Sequence, residues 1–271
     1  MKTFMINAQN VKEVQNQSIS CVIALGYFDG VHLGHQEVIR TAKVEATKRG
    51  LPLAVMSFRP HPINVLSDGK RFVPQLTTIC EKEQLLQQLG VDFFYLVDFT
   101  KEFATLTPQQ FVLDYLLRLK VVHAVAGFDF SYGVRGCAQL SQIFEDSGRK
   151  ITFTKVACVE FHGEKISSTA IRKRLLVGKV HEMPDFLGKH YSVKAYWDQQ
   201  QLKLLEDTML PHPGHYEVEI EQFGKRLSTV LNVEENNELC ITNLPKHLLP
   251  GKLKITWLNN VHVSVREATI I

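Results

Sequence analysis

Two histidines three residues apart, His32 and His35, follow an apolar run that ends at Gly26. The segment FDGVHLGH, residues 28–35, contains both histidines. It also supplies Gly30 and Gly34, where the backbone can approach a ligand closely. His35 is expected to begin a helix, whose N-terminus favours anions. Two imidazoles beside a phosphate could donate hydrogen bonds to charge that develops during phosphoryl transfer. A loop histidine and a helix cap are the alternative, but the position at a strand–helix junction favours the chemical interpretation.

A second anion site is indicated by the segment EKISSTAIRKRLLVG, residues 164–178. Ser167, Ser168 and Thr169 precede an amphipathic helix and combine hydroxyl donors with the free N–H groups of the helix start. Arg172 lies three or four residues further on, so it projects toward the same end and could hold a polyphosphate with two hydrogen bonds. Ordinary capping with a solvated basic face is the alternative. Two anion-favouring helix starts in one chain suit a triphosphate better.

Two further loops carry aromatic and polar side chains after predicted strands, in the segments SFRPHPINVL and AGFDFSYGVRG. Such loops could bind a flat heterocycle by stacking and by hydrogen bonds to its edge. Packing of the phenylalanines against the core is the competing use of these residues. The candidates are Phe58, Pro60, His61, Asn64, Gly127, Phe128 and Asp129.

The elements that must position these residues alternate between two periodicities. Short continuous apolar runs predict strands with both faces covered, and amphipathic segments between them predict helices. The pattern indicates an α/β fold with a doubly wound parallel sheet, in which ligands bind beyond the carboxyl ends of the strands. The predicted strands cover residues 19–26, 51–58, 91–99, 121–128 and 151–157, and the last predicted helix of the series covers 138–150.

The pattern changes near residues 187–190. Segments such as HYEVEIEQFGKRLSTVLNV and GKLKITWLNNVHVSVRE alternate with period two and are separated by turn residues. We therefore predict a first domain over residues 1–187 and a small all-β domain, a partial barrel, over residues 188–271.

Composition excludes several classes of protein. The chain has 271 residues, 22% of them charged, and a net charge of +3, without the basic stripe of a dedicated nucleic-acid binder. Its five cysteines are scattered singly, which indicates neither a disulfide framework nor a zinc site. With no signal peptide and no apolar run of membrane-span length, we expect a cytoplasmic protein that binds no membrane. A homo-oligomer stays open.

The motifs in their order resemble the adenylyltransferase module of prokaryotic FAD synthetases, the bifunctional riboflavin kinase/FMN adenylyltransferases. The resemblance is carried by G-x-F-D-G-V-H-x-G-H and I-S-S-T-x-I-R, supported by FRPHP and GFDFSYG, and it covers about residues 15–190. The histidine motif HLGH is similar to that of the broader H-x-G-H nucleotidyltransferase superfamily. The resemblance implies transfer of AMP from ATP to FMN, which gives FAD and pyrophosphate with the help of Mg²⁺.

The resemblance also implies roles for the candidate residues. His32 and His35 would contact the triphosphate and stabilise the pentacoordinate transition state, and Ser168, Thr169 and Arg172 would complete the candidate catalytic set. ATP would be bound by Gly26, Phe28, Gly30, Gly34, Gly127 and Ser167. The flavin side would comprise Phe58, Pro60, His61, Asn64, Phe128 and Asp129. The ligands of Mg²⁺ stay unassigned.

The C-terminal part departs from the family pattern. A G-F-P-T-A-N segment opens the riboflavin kinase barrel of the bifunctional enzymes, and residues 191–220 contain no P-T-A-N. The segment LPHPGHYEVEI still resembles a later strand of that barrel. We therefore expect a monofunctional FMN adenylyltransferase with a degenerate kinase-like domain, which has a structural, dimerising or flavin-responsive regulatory role. RNA binding by KHYSVKAYW is disfavoured by the acidic segments nearby.

Three alternatives to this function stay open. The chain could retain riboflavin kinase activity as a bifunctional enzyme. It could use another acceptor, such as a pantetheine phosphate or nicotinamide mononucleotide, although FRPHP and the barrel remnant favour FMN. It could also be a non-catalytic flavin-binding regulator, although the complete set of histidine, hydroxyl and arginine side chains favours catalysis.

Overall fold

Four continuous apolar runs form the interior of a six-stranded parallel sheet. The computed structural model describes residues 1–242 and 248–261, which divide into two units. The first unit comprises Met1–Gln75 and Ile79–Ile166. Its strands are β1 (Lys2–Ile6), β2 (Cys21–Leu25), β3 (Leu53–Arg59), β4 (Phe93–Asp98), β5 (Val121–Gly127), β6 (Ser131–Tyr132), β7 (Ala138–Gln139), β8 (Thr152–Val156), β9 (Glu160–Phe161) and β10 (Glu164–Lys165). Its helices are α1 (Val11–Gln17), α2 (Leu33–Arg49), α3 (Pro62–Leu66), α4 (Ile79–Gln88), α5 (Lys101–Ala104), α6 (Pro108–Phe111) and α7 (Ile143–Asp146).

The strand order β1-β4-β3-β2-β5-β8 makes the sheet doubly wound. Every neighbouring pair in this order is parallel. The chain first moves from β2 toward one edge and later returns to the other side of β2 with β5. The carboxyl ends of β2 and β5 therefore flank the topological switch point, where sheets of this type bind ligands.

Both faces of the sheet are covered, as the continuous apolar runs predicted. All five residues of β2 are buried. Val22 and Ala24 join one apolar cluster, while Cys21, Ile23 and Leu25 join another, because successive side chains of a strand point to opposite faces.

One strand was missed by the sequence analysis, and one predicted helix was wrong. The polar N-terminal segment contains an edge strand, β1, that pairs with β4 and has a single buried residue, Ile6. An edge strand needs little apolar surface, so the sequence pattern did not reveal it. The helix predicted over residues 138–150 is instead strand β7, a short 3-10 turn and the four-residue helix α7.

The second unit comprises Leu76–Thr78 and the described residues from Ser167 on. It contains the helices α8 (Ser168–Leu175) and α9 (Met183–Leu187). Its strands are β11 (Ser192–Trp197), β12 (Leu202–Leu204), β13 (Gly214–Gln222), β14 (Lys225–Val233), β15 (Leu239–Ile241) and β16 (Gly251–Val261). These strands form a closed antiparallel barrel in the order β11-β12-β15-β14-β13-β16.

The predicted all-β domain is confirmed, and its barrel is closed rather than partial. Alternating side chains of the strands fill the barrel, and Tyr216 and Trp257 meet edge to face with ring centroids 5.4 Å apart. The period-two pattern predicted for residues 262–267 lies outside the described residues. The domain boundary at residue 187 stays a prediction.

Candidate active site

The histidine motif lies at the carboxyl end of β2, where α2 begins. His32 is the N-cap of α2, and its Nδ1 accepts a hydrogen bond of 3.2 Å from the backbone N–H of His35. The two imidazole rings are stacked, with centroids 3.5 Å apart and planes inclined by 18°. The sequence prediction that His35 starts the helix is close, since the helix begins two residues earlier at Leu33.

The capping bond determines which proton His32 can donate. A neutral imidazole has one acceptor and one donor nitrogen, so acceptance at Nδ1 places the proton on Nε2. His32 therefore has one N–H left with which to donate to a ligand. The Nδ1 atom of His35 is buried and has no hydrogen-bond partner among the described residues. A buried polar atom of this kind is costly unless a ligand or water completes it.

Both imidazoles are held neutral. The pKa of His32 is lowered to about 4, first by burial and then by the Lys165 cation, while the Asp129 carboxylate acts in the opposite direction. Burial also lowers the pKa of His35 well below its ordinary value, with further contributions from His32, Lys82 and Lys165. Neutral rings can stack closely without repulsion. An arriving polyphosphate would favour protonation, because an opposite charge stabilises the imidazolium.

The loop before α2 supports His35 through an aromatic ring. Phe28 is 1% exposed and meets His35 edge to face, with ring centroids 5.1 Å apart. Its backbone is left-handed, with a φ of 51°, which is uncommon for a residue other than glycine. A Cβ on Gly26 would lie 3.0 Å from the Phe28 ring. Gly26 therefore leaves space for Phe28, and Gly30 provides a turn with a φ of 80°.

Gly34 leaves space for the His32 ring. We expect Gly34→Ala to lower the kcat of a reaction that His32 assists by about tenfold. A Cβ at this position would lie 3.3 Å from Cε1 and Nδ1 of His32 and 3.4 Å from the carbonyl oxygen of Ile166. Displacements near 1 Å can cost about 100-fold in rate, so a few tenths of an ångström should cost less. Alanine favours the helix by about 1 kcal/mol over glycine, so the fold should persist.

Steady-state kinetics and thermal unfolding of Gly34→Ala test this expectation together. Lower turnover in a protein of unchanged or higher stability would support it. Unchanged turnover would mean that the His32 ring tolerates displacement.

The loop after β5 lies on the other side of the switch point. A Cβ on Gly127 would lie 3.3 Å from Oδ1 of Asp129, so glycine lets the Asp129 side chain fold back over the strand end. Asp129 forms an ion pair with Lys165 of β10. The Lys165 Nζ also lies 4.6 Å from the ring centroid of Phe128, whose side chain is exposed. The structure thus brings Phe128 and Asp129 together around one cation.

The loop after β3 holds the FRPHP residues. The Arg59–Pro60 peptide bond is cis, and His61 caps α3 by accepting a 3.2 Å hydrogen bond from the N–H of Ile63. His61 also meets the Tyr27 ring edge to face at 4.7 Å between centroids, which brings this loop beside the one before α2.

Asn64 and Phe58 have structural contacts in this loop. The Asn64 amide both accepts from the Val73 N–H, at 2.7 Å, and donates to the Val73 carbonyl, at 3.2 Å. Phe58 packs in an aromatic cluster with Phe99 and Phe103. Their predicted role at the flavin stays a prediction.

The second motif begins α8 in the second unit. Ser167 is the N-cap, and its Oγ accepts a 3.1 Å hydrogen bond from the Ala170 N–H. Ser168 and Thr169 occupy the first turn, and Arg172 is half-buried one turn later. The predicted helix start with its hydroxyl cluster is therefore confirmed as local structure, while phosphate binding stays a prediction.

The basic run of α8 divides into three different environments. Arg174 forms a 2.7 Å ion pair with Glu182, and its guanidinium carbon lies 3.9 Å from the ring centroid of Phe186. It thereby fixes α8 to α9. Lys173 is exposed, and Arg172 is half-buried. The run is therefore not a uniformly solvated basic face.

Comparison with known proteins decides the family. The FAD synthetase family model matches residues 14–170, which is more than half of the chain. The chain belongs to the FAD synthetase family. It is 39% identical to a bifunctional riboflavin kinase/FMN adenylyltransferase of Bacillus subtilis over 96% of this chain and 90% of the relative. It is also 32% identical to a protein named FAD synthetase from Listeria monocytogenes, over 82% of this chain and 87% of that protein.

A solved structure has the same architecture as this chain. A crystal structure described as a macrolide-efflux protein from Streptococcus pneumoniae superposes with a TM-score of 0.84 at 28% identity. The superposition covers 96% of this chain and 91% of the other. The predicted fold, family and enzyme class, an FMN adenylyltransferase among the nucleotidyltransferases, are confirmed.

Two lysines near the histidine pair were missed by sequence reasoning. Lys165 and Lys82 both lie close enough to the histidine pair to affect its charge. Lys165 stands directly before the ISSTAIR motif, and this position was the available signal. Lys82 is the middle of three consecutive charged residues near the start of α4, a pattern typical of a solvated helix start.

Among residues 1–242 and 248–261, no group of three or more histidine, cysteine, aspartate or glutamate side chains could hold a metal ion. Magnesium often binds through one or two carboxylates together with substrate phosphates. In the same described residues, no helix has the length and apolar character needed to cross a membrane.

The burial of His32 in the folded state makes the stability of the protein depend on pH. In the unfolded chain a histidine takes up a proton as the pH falls through about 6.5, whereas the folded protein keeps His32 neutral down to a pKa of about 4. The contribution of His32 is therefore complete above pH 6.5 and is lost as the pH falls. By pH 5 the loss should reach about 2 kcal/mol.

Denaturant unfolding of the wild type and of His32→Asn at pH 7.5 and pH 5 measures this loss. Asparagine is a good N-cap and does not titrate in this range. The unfolding free energy of the variant should therefore decline less. Parallel decline of the two proteins would show that His32 is not buried as a neutral ring.

Proposed function

We propose that the protein catalyses transfer of AMP from ATP to FMN at the carboxyl end of β2, and that it does so without riboflavin kinase activity. The observation that carries the proposal is the neutral, stacked pair of His32 and His35 at a helix start, in a chain that belongs to the FAD synthetase family. An anion-binding helix start with oriented N–H donors is suited to charge on a phosphoryl group.

The reaction needs no nucleophile from the protein. An oxygen of the FMN phosphate attacks the α-phosphorus of ATP, a new P–O bond forms, and the bond to pyrophosphate breaks. Catalysis of such a displacement consists mainly of positioning and charge stabilisation. His32 donates from Nε2, and His35 has a buried Nδ1 that a ligand can complete.

The remaining predicted residues are proposed to bind the rest of the two substrates. Ser168, Thr169 and Arg172 bind the β- and γ-phosphates and the departing pyrophosphate, with the free N–H groups of the α8 start. Gly26, Phe28, Gly30, Gly34, Gly127 and Ser167 form the nucleotide side. Phe58, Pro60, His61, Asn64, Phe128 and Asp129 form the flavin side. Magnesium, when bound, supplies charge neutralisation on the triphosphate.

Absence of riboflavin kinase activity is proposed from the barrel sequence. The segment that would contain P-T-A-N forms β11, β12 and the start of β13, and it provides no such run. The PHPG turn has a structural function instead. The His212 N–H donates to the Leu175 carbonyl at 2.7 Å, and the Tyr216 hydroxyl donates to the His212 carbonyl at 2.6 Å. We propose a structural role for the barrel, with regulation by flavin or dimerisation as the alternatives.

An acceptor panel tests the proposed reaction against its rivals. Purified protein with ATP and Mg²⁺ is given FMN, a pantetheine phosphate or nicotinamide mononucleotide in separate reactions, and pyrophosphate release is measured. FMN alone is expected to support release. Preference for another acceptor would reassign the enzyme, and flavin binding without release would indicate a regulator.

We also propose that the protein is cytoplasmic. The five cysteines are free in the structure, which is compatible with a reducing compartment.

Size-exclusion chromatography with light scattering would determine whether the protein is a homo-oligomer.

A further inference from the structure

Lys82 is a buried cation that the proposed chemistry does not use. It lies in the first turn of α4 and is only 5% exposed. Lysine is rarely buried to this degree, because removal of an ammonium from water is costly unless other groups compensate. The contacts that compensate for its burial therefore indicate what the side chain does.

These contacts hold the loop that leads into the histidine motif. The Lys82 Nζ donates to the Tyr27 carbonyl at 3.0 Å and to the Ser57 Oγ at 3.2 Å. Ser57 in turn donates from Oγ to the same Tyr27 carbonyl at 2.6 Å. The ammonium also lies 5.0 Å from the centroid of the Tyr27 ring. Lys82 thus joins α4, β3 and the loop after β2 at one carbonyl oxygen.

The carbonyl that Lys82 holds belongs to the peptide directly before Phe28. Phe28 has a left-handed backbone, a conformation that persists only when its surroundings hold it. The Phe28 ring in turn contacts His35 edge to face. Two contacts joined by the Tyr27–Phe28 peptide bond therefore lead from the Lys82 ammonium to the His35 imidazole.

Electrostatic interactions also connect Lys82 with the histidine pair. The buried carboxylate of Asp29, on the loop, interacts with Lys82 and supports its charged form. The Lys82 charge also reaches His35 of α2 and favours its neutral form. Of the three N–H donors of the ammonium, two have acceptors in Tyr27 and Ser57.

We propose that Lys82 is a positioning residue for adenylyl transfer, which fixes the Tyr27–Phe28 peptide beneath His35 and keeps a positive charge behind the histidine pair. This inference rests on the proposed function, because it assigns a role in that reaction. If Lys82 had a purely structural role, it would only hold the loop. Its replacement by arginine or by a neutral side chain of similar length would then change the stability of the protein without changing the pH dependence of catalysis.

The pH dependence of catalysis separates the two roles. Burial lowers the pKa of Lys82 to about 8, and Asp29 opposes this effect. In the free enzyme the positive charge is therefore present below pH 8 and lost as the pH rises through that value. Since kcat/KM reports groups of the free enzyme, it should fall above pH 8 in the wild type.

Lys82→Arg and Lys82→Met test the proposal when kcat/KM for FAD synthesis is measured from pH 7 to pH 9.5. Arginine stays charged throughout this range, so Lys82→Arg should lose the decline above pH 8. Lys82→Met should be at least tenfold slower at pH 7 and should show no decline. Wild-type activity in Lys82→Met, or an unchanged alkaline decline in Lys82→Arg, would overturn the proposal.

A matched control and a second readout keep this test independent of folding and of the proposed function. Lys43 also donates to a backbone carbonyl, that of Gly90, at 2.7 Å, and Lys43→Met should retain both wild-type activity and the alkaline decline. In NMR titrations, loss of the Lys82 charge should raise the pKa of His35. That shift is expected whatever the acceptor, so its absence refutes the Lys82 role, while absence of FAD from the wild type refutes the proposed function.

Discussion

Replacement of His35 by alanine is expected to lower kcat for FAD synthesis about 100- to 1,000-fold, with the fold intact. Removal of one donor aimed at transition-state charge usually costs this much. The His35 side chain stacks on His32 and meets Phe28, and alanine retains the backbone N–H that donates to His32 Nδ1. Steady-state kinetics with FMN, ATP and Mg²⁺ measure the loss, and circular dichroism checks the fold.

His32→Asn is the matched variant for the other half of the pair. It keeps an N-cap acceptor for the His35 N–H and removes the Nε2 donor. A similar loss of kcat is expected, and the double variant should lose much less than the product of the two single effects, because the rings act as a unit. Normal FAD synthesis by both single variants would refute the transition-state role of the pair.

Replacement of Arg172 by alanine is expected to lower kcat/KM for ATP at least about 100-fold. A guanidinium can bind a phosphate through two charge-assisted hydrogen bonds, and each is worth about 1.5–3 kcal/mol. Arg172→Lys keeps the charge and loses the two-pronged geometry, so it should recover only part of the activity. Kinetics at varied ATP concentration measure both effects.

Lys173→Ala is the control for Arg172, because it removes a neighbouring charge from the same helix at an exposed position. Its kcat/KM should equal that of the wild type. Equal losses in the two variants would mean that α8 contributes only a general positive field. Arg174 is unsuitable as a control, since its ion pair with Glu182 holds α9.

The sequence was sufficient for the sheet interior because that part of the fold follows from burial alone. Runs such as CVIAL have both faces covered, so their hydrophobicity is continuous and unmistakable. The edge strand β1 was missed because only Ile6 is buried in it. The helix predicted over residues 138–150 was too long, because residues 138–142 form a strand and a 3-10 turn and only α7 is helical.

The candidate site was predictable where the sequence has glycines, which let a ligand approach the backbone, and histidines, which can donate hydrogen bonds to it. Gly34 illustrates the limit, since the sequence shows a glycine but only the structure shows the His32 ring that it accommodates. Lys82 and Lys165 were not assigned from sequence, because a charged residue near a helix or hairpin is usually solvated. Their importance comes from tertiary contacts with Tyr27, Ser57 and Asp129.

The most direct measurement incubates purified protein with ATP and Mg²⁺, in one reaction with FMN and in another with riboflavin, and follows FAD and FMN by chromatography. The protein is expected to convert FMN to FAD with release of pyrophosphate, and to leave riboflavin unchanged. Formation of FMN from riboflavin would show that the barrel retains kinase activity. Failure to form FAD from FMN, by protein that is folded and monodisperse, would contradict the central claim.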